Sequence, residues 1–180
     1  MTTFTIKEQA TGIVAGNSWD IFTSFSLLAQ ADQACLWVLG YNADNIEIKR
    51  ECVQKSGKKD LNTDVSLVLR RVLASGATAW ACVYNHTSGA CRPKENDINF
   101  AYSMFAVSDL IGLTFFDCII IADDGYFSFR DQEYFVLFEE CGGIDLQKIE
   151  RWPVIDGPGR CKIVNIRSGF KDVAREVCHE

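Results

Sequence analysis

The apolar segment at residues 78–84 constrains the fold of this chain more than any other sequence feature. A strand with one solvated face alternates apolar and polar residues, whereas a strand covered on both faces is apolar almost throughout. Before this segment, apolar residues recur at helical spacing, at Val65, Val68, Leu69, Val72 and Leu73. We expect Asn62 or Thr63 to cap that helix and Gly76 to end it. A helix followed by a buried strand predicts an α/β fold with a parallel or mixed sheet under helices.

Other segments supply the remaining elements of this sheet. A helical pattern runs over residues 19–28, and a second helix is expected around residues 98–105, ending at Gly112. Residues 35–41 and 46–53 flank a polar turn, and residues 115–122 and 126–129 flank Asp123-Asp124-Gly125. Both arrangements predict β-hairpins. Beyond them the pattern is weaker, with a strand expected over 162–166 and a helix over 170–178.

Length and charge limit the classes of function. A chain of 180 residues with 48% hydrophobic content buries one substantial core, so residues 1–180 are expected to form a single domain. Its formal charge of −6 disfavours nonspecific nucleic-acid binding, which requires a basic surface, and favours a protein partner. The N-terminal residues lack a basic start and a long apolar run, so we expect neither a secretory signal nor a membrane anchor, and a cytoplasmic location.

The cysteines are expected to be buried thiols. Several of the 8 lie inside apolar segments, as Cys35, Cys82 and Cys118 do. The sequence contains no Cys-x-x-Cys pair, and His86 and His179 are its 2 histidines. A structural zinc site of the usual Cys/His spacing is therefore not supported.

The order of elements and the loop Tyr84-Asn85-His86-Thr87-Ser88-Gly89 resemble the JAB1/MPN (JAMM) domain, in particular its RadC-like branch, which shows His-Asn-His-Pro-Ser-Gly there. Residues 53–57, 94–98 and 110–129 carry further parts of the resemblance, which spans residues 33–129. It implies a three-layer, cytidine-deaminase-like fold with a mixed sheet flanked by helices. Residues 130–180 are then expected to form a C-terminal extension packed on the core.

The resemblance also implies where a zinc site would lie. In active members two histidines and an aspartate bind zinc, and a glutamate activates the bound water. The histidine positions correspond here to Tyr84 and His86, and the aspartate to Asp97. A serine of the family motif corresponds to Lys94, and the glutamate position falls on Gln33.

These differences predict a degenerate site. A glutamine amide such as that of Gln33 cannot act as a general base, and a neutral tyrosine such as Tyr84 is a poor zinc ligand. Lys94 would add positive charge where the metal would lie and would pair with Asp97. We therefore expect no cofactor and no catalysis.

Each candidate residue also has a purely structural interpretation. In this interpretation His86 satisfies loop hydrogen bonds, and Asp97 interacts with a helix dipole. Ser88 is expected to shape a turn rather than to stabilise an oxyanion, and Tyr84 to pack in the core. These interpretations stay open at the level of sequence.

Cys91 keeps an enzymatic alternative open. With His86 and Asp97 it would complete a three-ligand zinc site, because a thiolate is a good zinc ligand. That arrangement would make the chain a zinc-dependent hydrolase, of the peptidase or isopeptidase kind, with a rewired ligand set. A nucleophilic Cys91–His86 pair is a further option, but closeness in a loop is no evidence of geometry.

The hypothesis that follows is a catalytically degenerate RadC-like protein acting as a protein-binding, inhibitory or scaffold module. The zinc-dependent hydrolase is the alternative, and a DNA-associated RadC-type protein is the third. The resemblance adds the expectation of an association with mobile genetic elements. The C-terminal extension is expected to extend the sheet, to form a homodimer or to cover the site.

Overall fold

The computed structural model describes residues 6–14, 16–56 and 63–140, together with the backbone of 151–155 and 161–165. Within these ranges a 3-10 turn, Ser26–Gln30, extends the first helix. The helices are α1 Ser18–Phe25, α2 Val65–Ala74, α3 Glu95–Leu110 and α4 Tyr134–Glu140. The strands are β1 Cys35–Tyr41, β2 Glu47–Lys55, β3 Ala79–Asn85, β4 Thr114–Ala122, β5 Gly125–Ser128, β6 Arg151–Ile155 and β7 Cys161–Asn165.

A five-stranded mixed sheet forms the centre of the fold, in the order β2-β1-β3-β4-β5. β3 and β4 are parallel, and the other neighbouring pairs are antiparallel. All seven residues of β3 are buried, as its apolar sequence predicted. The α/β class, the mixed sheet and both hairpins are therefore confirmed.

The two faces of the sheet bury separate sets of side chains. One face packs against α2, α3 and α4 around Val68, Trp80, Tyr102 and Phe138. The other packs against α1 around Phe25, Trp37, Tyr41 and Ile119. Because β1, β3 and β4 contribute alternate residues to both sets, these strands need apolar residues at nearly every position.

The start of α2 differs from the sequence-based expectation. Asp64, rather than Asn62 or Thr63, is the N-cap, and its carboxylate accepts a hydrogen bond from the Ser66 amide over 2.9 Å. Thr63 lies one residue too early, and Asn62 lies outside the described residues. The predicted end is confirmed, since Gly76 follows the helix with a φ of 70°, a conformation that suits glycine.

The chain after the second hairpin forms α4, which packs on α3 through aromatic rings. The Phe105 and Phe135 ring centroids lie 5.1 Å apart, and those of Tyr102 and Phe138 lie 5.3 Å apart. The strand expected near 162–166 is β7, which pairs with β6. The helix expected over 170–178 lies outside the described residues, and the packing of the extension beyond α4 stays a prediction.

Among the helices of the described ranges, none is both long and apolar enough to cross a bilayer.

Candidate functional site

The candidate residues meet where β3 ends and α3 begins. β3 carries Tyr84, a loop follows with His86, and the first turn of α3 carries Asp97. The parallel pairing of β3 with β4 continues to the last residue of β3, Asn85, which lies opposite Ile121. The carboxyl end of a buried strand is a common location for functional side chains in α/β proteins.

The Asp97 carboxylate is the centre of the cluster. Its Oδ1 accepts a hydrogen bond from the Tyr84 hydroxyl over 3.0 Å. Its Oδ2 accepts one from the Lys94 backbone amide over 2.7 Å and lies 3.1 Å from Nε2 of His86. Both carboxylate oxygens are therefore engaged by donors of this chain.

The His86 ring has an acceptor at each nitrogen. Nδ1 lies 2.9 Å from the Ala90 carbonyl oxygen, which only accepts, so Nδ1 carries a proton. Burial lowers the pKa of His86, but the hydrogen bond and charge of Asp97, with the Ala90 carbonyl, outweigh it and raise the pKa above its usual value. Compared with water, this environment thus favours the protonated ring.

Tyr84 is held as a neutral phenol. Burial, followed by the neighbouring Cys118 and the charge of Asp97, raises its pKa well above the usual value. Its ring packs edge-on against Phe100, with centroids 6.0 Å apart. Core packing and hydrogen bonding to Asp97 therefore coexist in one side chain. Tyr84 would offer a cation only the weakly binding oxygen of a neutral phenol, and His86 could bind one only through an Nε2 that carries no proton.

Asn85 fixes the start of β1 beside this cluster. Its side chain is 1% exposed; Oδ1 accepts from the Cys35 amide over 2.8 Å, and Nδ2 donates to the Gln33 carbonyl over 3.0 Å. This brings the Gln33 backbone to the end of β3, while the residue itself stays exposed. The motif did not predict this role, although an asparagine ending an apolar strand is a signal for a buried polar contact.

Cys91 faces the second hairpin. Its amide donates to Oδ1 of Asp124 over 2.8 Å, and burial together with the hydrogen bond of its thiol to Asp124 raises the pKa of Cys91 to about 11. Across residues 6–14, 16–56 and 63–140, no three His, Cys, Asp or Glu side chains form a group that could hold a metal. The geometry thus gives no support to a His86–Cys91–Asp97 ligand set.

The remaining candidate residues, Ser88 and Lys94, are exposed beside the cluster. Ser88 is exposed in the turn that leads to Gly89, whose φ is 82°. Lys94 is exposed and is the N-cap residue of α3, where its amide and the Asp97 side chain form a capping contact. Asp97 is therefore a helix-capping residue as well as the acceptor for Tyr84 and His86.

Comparison with known proteins identifies the family. The RadC-like JAB domain model matches residues 17–134, which is more than half of the chain. The chain belongs to the RadC-like JAB domain family. The resemblance seen in the sequence is therefore confirmed, and the five-stranded mixed sheet is consistent with that fold.

Three relatives of this RadC-like JAB domain are UPF0758 proteins. The one from Porphyromonas gingivalis is 34% identical over 106 residues, covering 58% of this chain and 47% of the relative. That from Flavobacterium johnsoniae is 28% identical over 120 residues, covering 66% and 52%. That from Staphylococcus haemolyticus is 30% identical over 100 residues, covering 56% and 44%. The chain spans about half the length of the curated relatives it matches.

Proposed function

We propose that this RadC-like JAB domain is catalytically degenerate and acts as a protein-binding module, in an inhibitory or scaffolding role. The observation that carries the proposal is the Asp97 carboxylate, whose two oxygens are engaged by Tyr84, His86 and the Lys94 amide. Hydrogen-bond donors thus surround the group that would have to bind a metal.

The set of available ligands argues against zinc at this cluster. Zinc takes neutral imidazole nitrogens and carboxylate oxygens as ligands, all through lone pairs. Nδ1 of His86 donates to the Ala90 carbonyl, which leaves Nε2 as its ligand atom, and Nε2 lies 3.1 Å from Oδ2 of Asp97. A metal would have to separate these two atoms, and at the other histidine position Tyr84 would offer only the oxygen of a neutral phenol. These residues do not fit a catalytic zinc ion.

A general base is also lacking at the corresponding position. Hydrolysis by metal-bound water needs a group that accepts the proton of that water. Gln33 is a neutral amide at any ordinary pH. Its backbone carbonyl accepts a hydrogen bond from Asn85, which fixes the start of β1 beside the site. The side chain at position 33 is thus placed near the site, but it is an amide and not a carboxylate.

Surface properties support a protein partner. The net charge of −6 disfavours a nonspecific grip on nucleic acid. Large apolar side chains remain exposed in the described part of the chain, including Trp19 at 56% exposure beside the Phe22 and Tyr126 rings. Aromatic side chains of this kind are enriched in protein interfaces.

Two assays test the two halves of this proposal. With zinc supplied, we expect no cleavage of peptide or isopeptide-linked substrates above the rate of the His86→Ala variant. With the chain as bait in cells of its source, we expect a stoichiometric protein partner that the His86→Ala variant also retains. Zinc-dependent turnover that His86→Ala abolishes would overturn the first half, and DNA binding with steep salt dependence would overturn the second.

A further inference from the structure

Two thiols lie on one face of the β1–β2 hairpin. Cys35 begins β1, and Cys52 lies in β2 opposite Trp37. Since alternate residues of a strand share a face, Cys35 and Trp37 point to the same side, and Cys52 joins them there. Both thiols pack with the core set around Phe25 and Trp37. The strand pairing, with its register shift between Leu36 and Trp37, therefore makes Cys35 and Cys52 diagonal neighbours on this face.

The two thiols differ in proton affinity. A hydrogen bond from the Cys52 thiol has the largest effect on the pKa of Cys35, which is lowered to about 7. Lys55 lowers this pKa as well, whereas burial and Asp32 raise it. The same hydrogen bond, with burial, raises the pKa of Cys52. The Cys52 sulfur also lies 3.6 Å from the Gln54 carbonyl oxygen, a second acceptor for its proton. The Cys35 sulfur in turn lies 3.7 Å from the Gln33 carbonyl oxygen. Of the two thiols, Cys35 is the one that loses its proton more readily.

We propose that Cys35 and Cys52 are a redox-active pair that a peroxide converts into a disulfide across the β1–β2 hairpin. The Cys35 thiolate attacks one oxygen of hydrogen peroxide, which breaks the O–O bond, gives Cys35 sulfenic acid and releases hydroxide. The Cys52 thiol then attacks the Cys35 sulfur. The S–S bond forms, the S–O bond breaks, and the sulfenic oxygen leaves as water with the thiol proton. The peroxide accepts the two electrons that the sulfurs lose.

Access distinguishes this pair from a second one in the same sheet. Cys82 and Cys118 are directly paired on β3 and β4, with their sulfurs 3.3 Å apart, but both side chains are 0% exposed. Cys35 is 9% exposed at the start of its strand, and Cys52 is half-buried. Cys52 is therefore open to a peroxide and Cys35 keeps a small exposed fraction, whereas Cys82 and Cys118 lie closed inside the core.

The disulfide would act on the backbone next to the candidate site. The Cys35 amide donates to Asn85, and the Gln33 carbonyl accepts from the same side chain. A covalent link from Cys35 to β2 would fix this start of β1 to the hairpin as well as to the end of β3. The disulfide would form in the same way whether or not the domain is an enzyme.

Peptide mapping of the full chain tests the proposal. The reduced protein is treated with hydrogen peroxide, its free thiols are alkylated, and it is digested without reductant. We expect a Cys35–Cys52 cross-linked peptide about 2 Da lighter than the two reduced peptides together. A dominant Cys82–Cys118 link, or full alkylation of Cys35 and Cys52 after peroxide, would overturn the proposal.

Variants separate the roles of the two sulfurs. In Cys52→Ala we expect Cys35 to stop at the sulfenic acid, which dimedone traps, and alkylation of Cys35 at pH 7 to slow about tenfold as its thiolate fraction falls. Cys91→Ala is the matched control and should leave the cross-link unchanged. Circular dichroism checks that both variants are folded. Unchanged alkylation of Cys35 in a folded Cys52→Ala protein would contradict the assigned roles.

Discussion

The Tyr84 hydroxyl donates a hydrogen bond to Oδ1 of Asp97 over 3.0 Å, and so joins the end of β3 to the first turn of α3. The family resemblance implies a metal-binding histidine at the position of Tyr84. Here that position supplies a neutral donor with a raised pKa. The contact therefore holds together two elements that, in an active relative, a metal would bridge.

Removal of this hydroxyl should lower stability. Tyr84→Phe leaves Oδ1 of Asp97 without a donor in a partly buried position, and we expect a loss of about 1–3 kcal/mol in the free energy of unfolding. Urea denaturation followed by fluorescence measures it. Tyr126→Phe, at a half-buried surface ring, is the matched control and should change stability by less than about 0.5 kcal/mol. Equal losses in the two variants would contradict a special role for the Tyr84–Asp97 bond.

His86 should stabilise the fold at low pH. Its pKa is raised in the folded state because the hydrogen bond and charge of Asp97 outweigh burial, so folding favours the protonated ring. The stabilisation is complete below the ordinary histidine pKa and is lost as the pH rises through the folded pKa. We expect the difference in unfolding free energy between wild type and His86→Gln to shrink with rising pH. A difference that grows with pH would show that His86 is neutral.

Asp117 should also favour the fold at low pH, as a neutral acid. Burial is the largest influence on it and raises its pKa to about 6, although Ser128, Arg130 and Cys118 donate hydrogen bonds to its carboxylate. Folding therefore favours the protonated acid. Its contribution is complete below about pH 4 and is lost as the pH rises through about 6, a change of about 3 kcal/mol. In Asp117→Asn we expect stability to fall less between pH 4 and 7 than in wild type.

Asn85 should prove more important than its place in the motif suggests. Asn85→Ala removes the acceptor of the Cys35 amide and the donor to the Gln33 carbonyl, and we expect a loss of about 2–4 kcal/mol in unfolding free energy. Amide hydrogen exchange should rise at the start of β1. Asn85→Asp keeps the acceptor for Cys35 and should protect that amide better than alanine does. Unchanged exchange at Cys35 in Asn85→Ala would contradict the assigned role.

The sequence predicted the sheet better than it predicted the site. Apolar periodicity was decisive for β3, since a strand buried on both faces has a distinctive composition. The contacts of Asp97 bring together residues 13 positions apart in the chain, and no spacing rule specifies their hydrogen bonds. The same holds for Asn85, whose partners lie about 50 residues earlier. The correspondence with the family motif identified the residues of the cluster. Their hydrogen bonds depend on tertiary packing.

The N-cap of α2 and the contact of Cys91 likewise depend on the fold rather than on local sequence. Thr63 and Asp64 are both suitable N-cap residues, and only the start of α2 at Val65 selects Asp64. Cys91 lies close to His86 in sequence, yet its amide binds Asp124 in the second hairpin. Local sequence predicts whether a segment forms a helix or a strand. The contacts of a loop depend on which strands and hairpins lie beside it in the folded chain.

Zinc content tests the central claim most directly. The chain is purified without chelator, supplied with zinc, dialysed and analysed by mass spectrometry, beside His86→Ala and the double variant Tyr84→His/Gln33→Glu. We predict zinc at background level in wild type and His86→Ala, and a gain toward stoichiometric zinc in the double variant, which regains a histidine and a carboxylate. Stoichiometric zinc in wild type that His86→Ala loses would contradict the degenerate site.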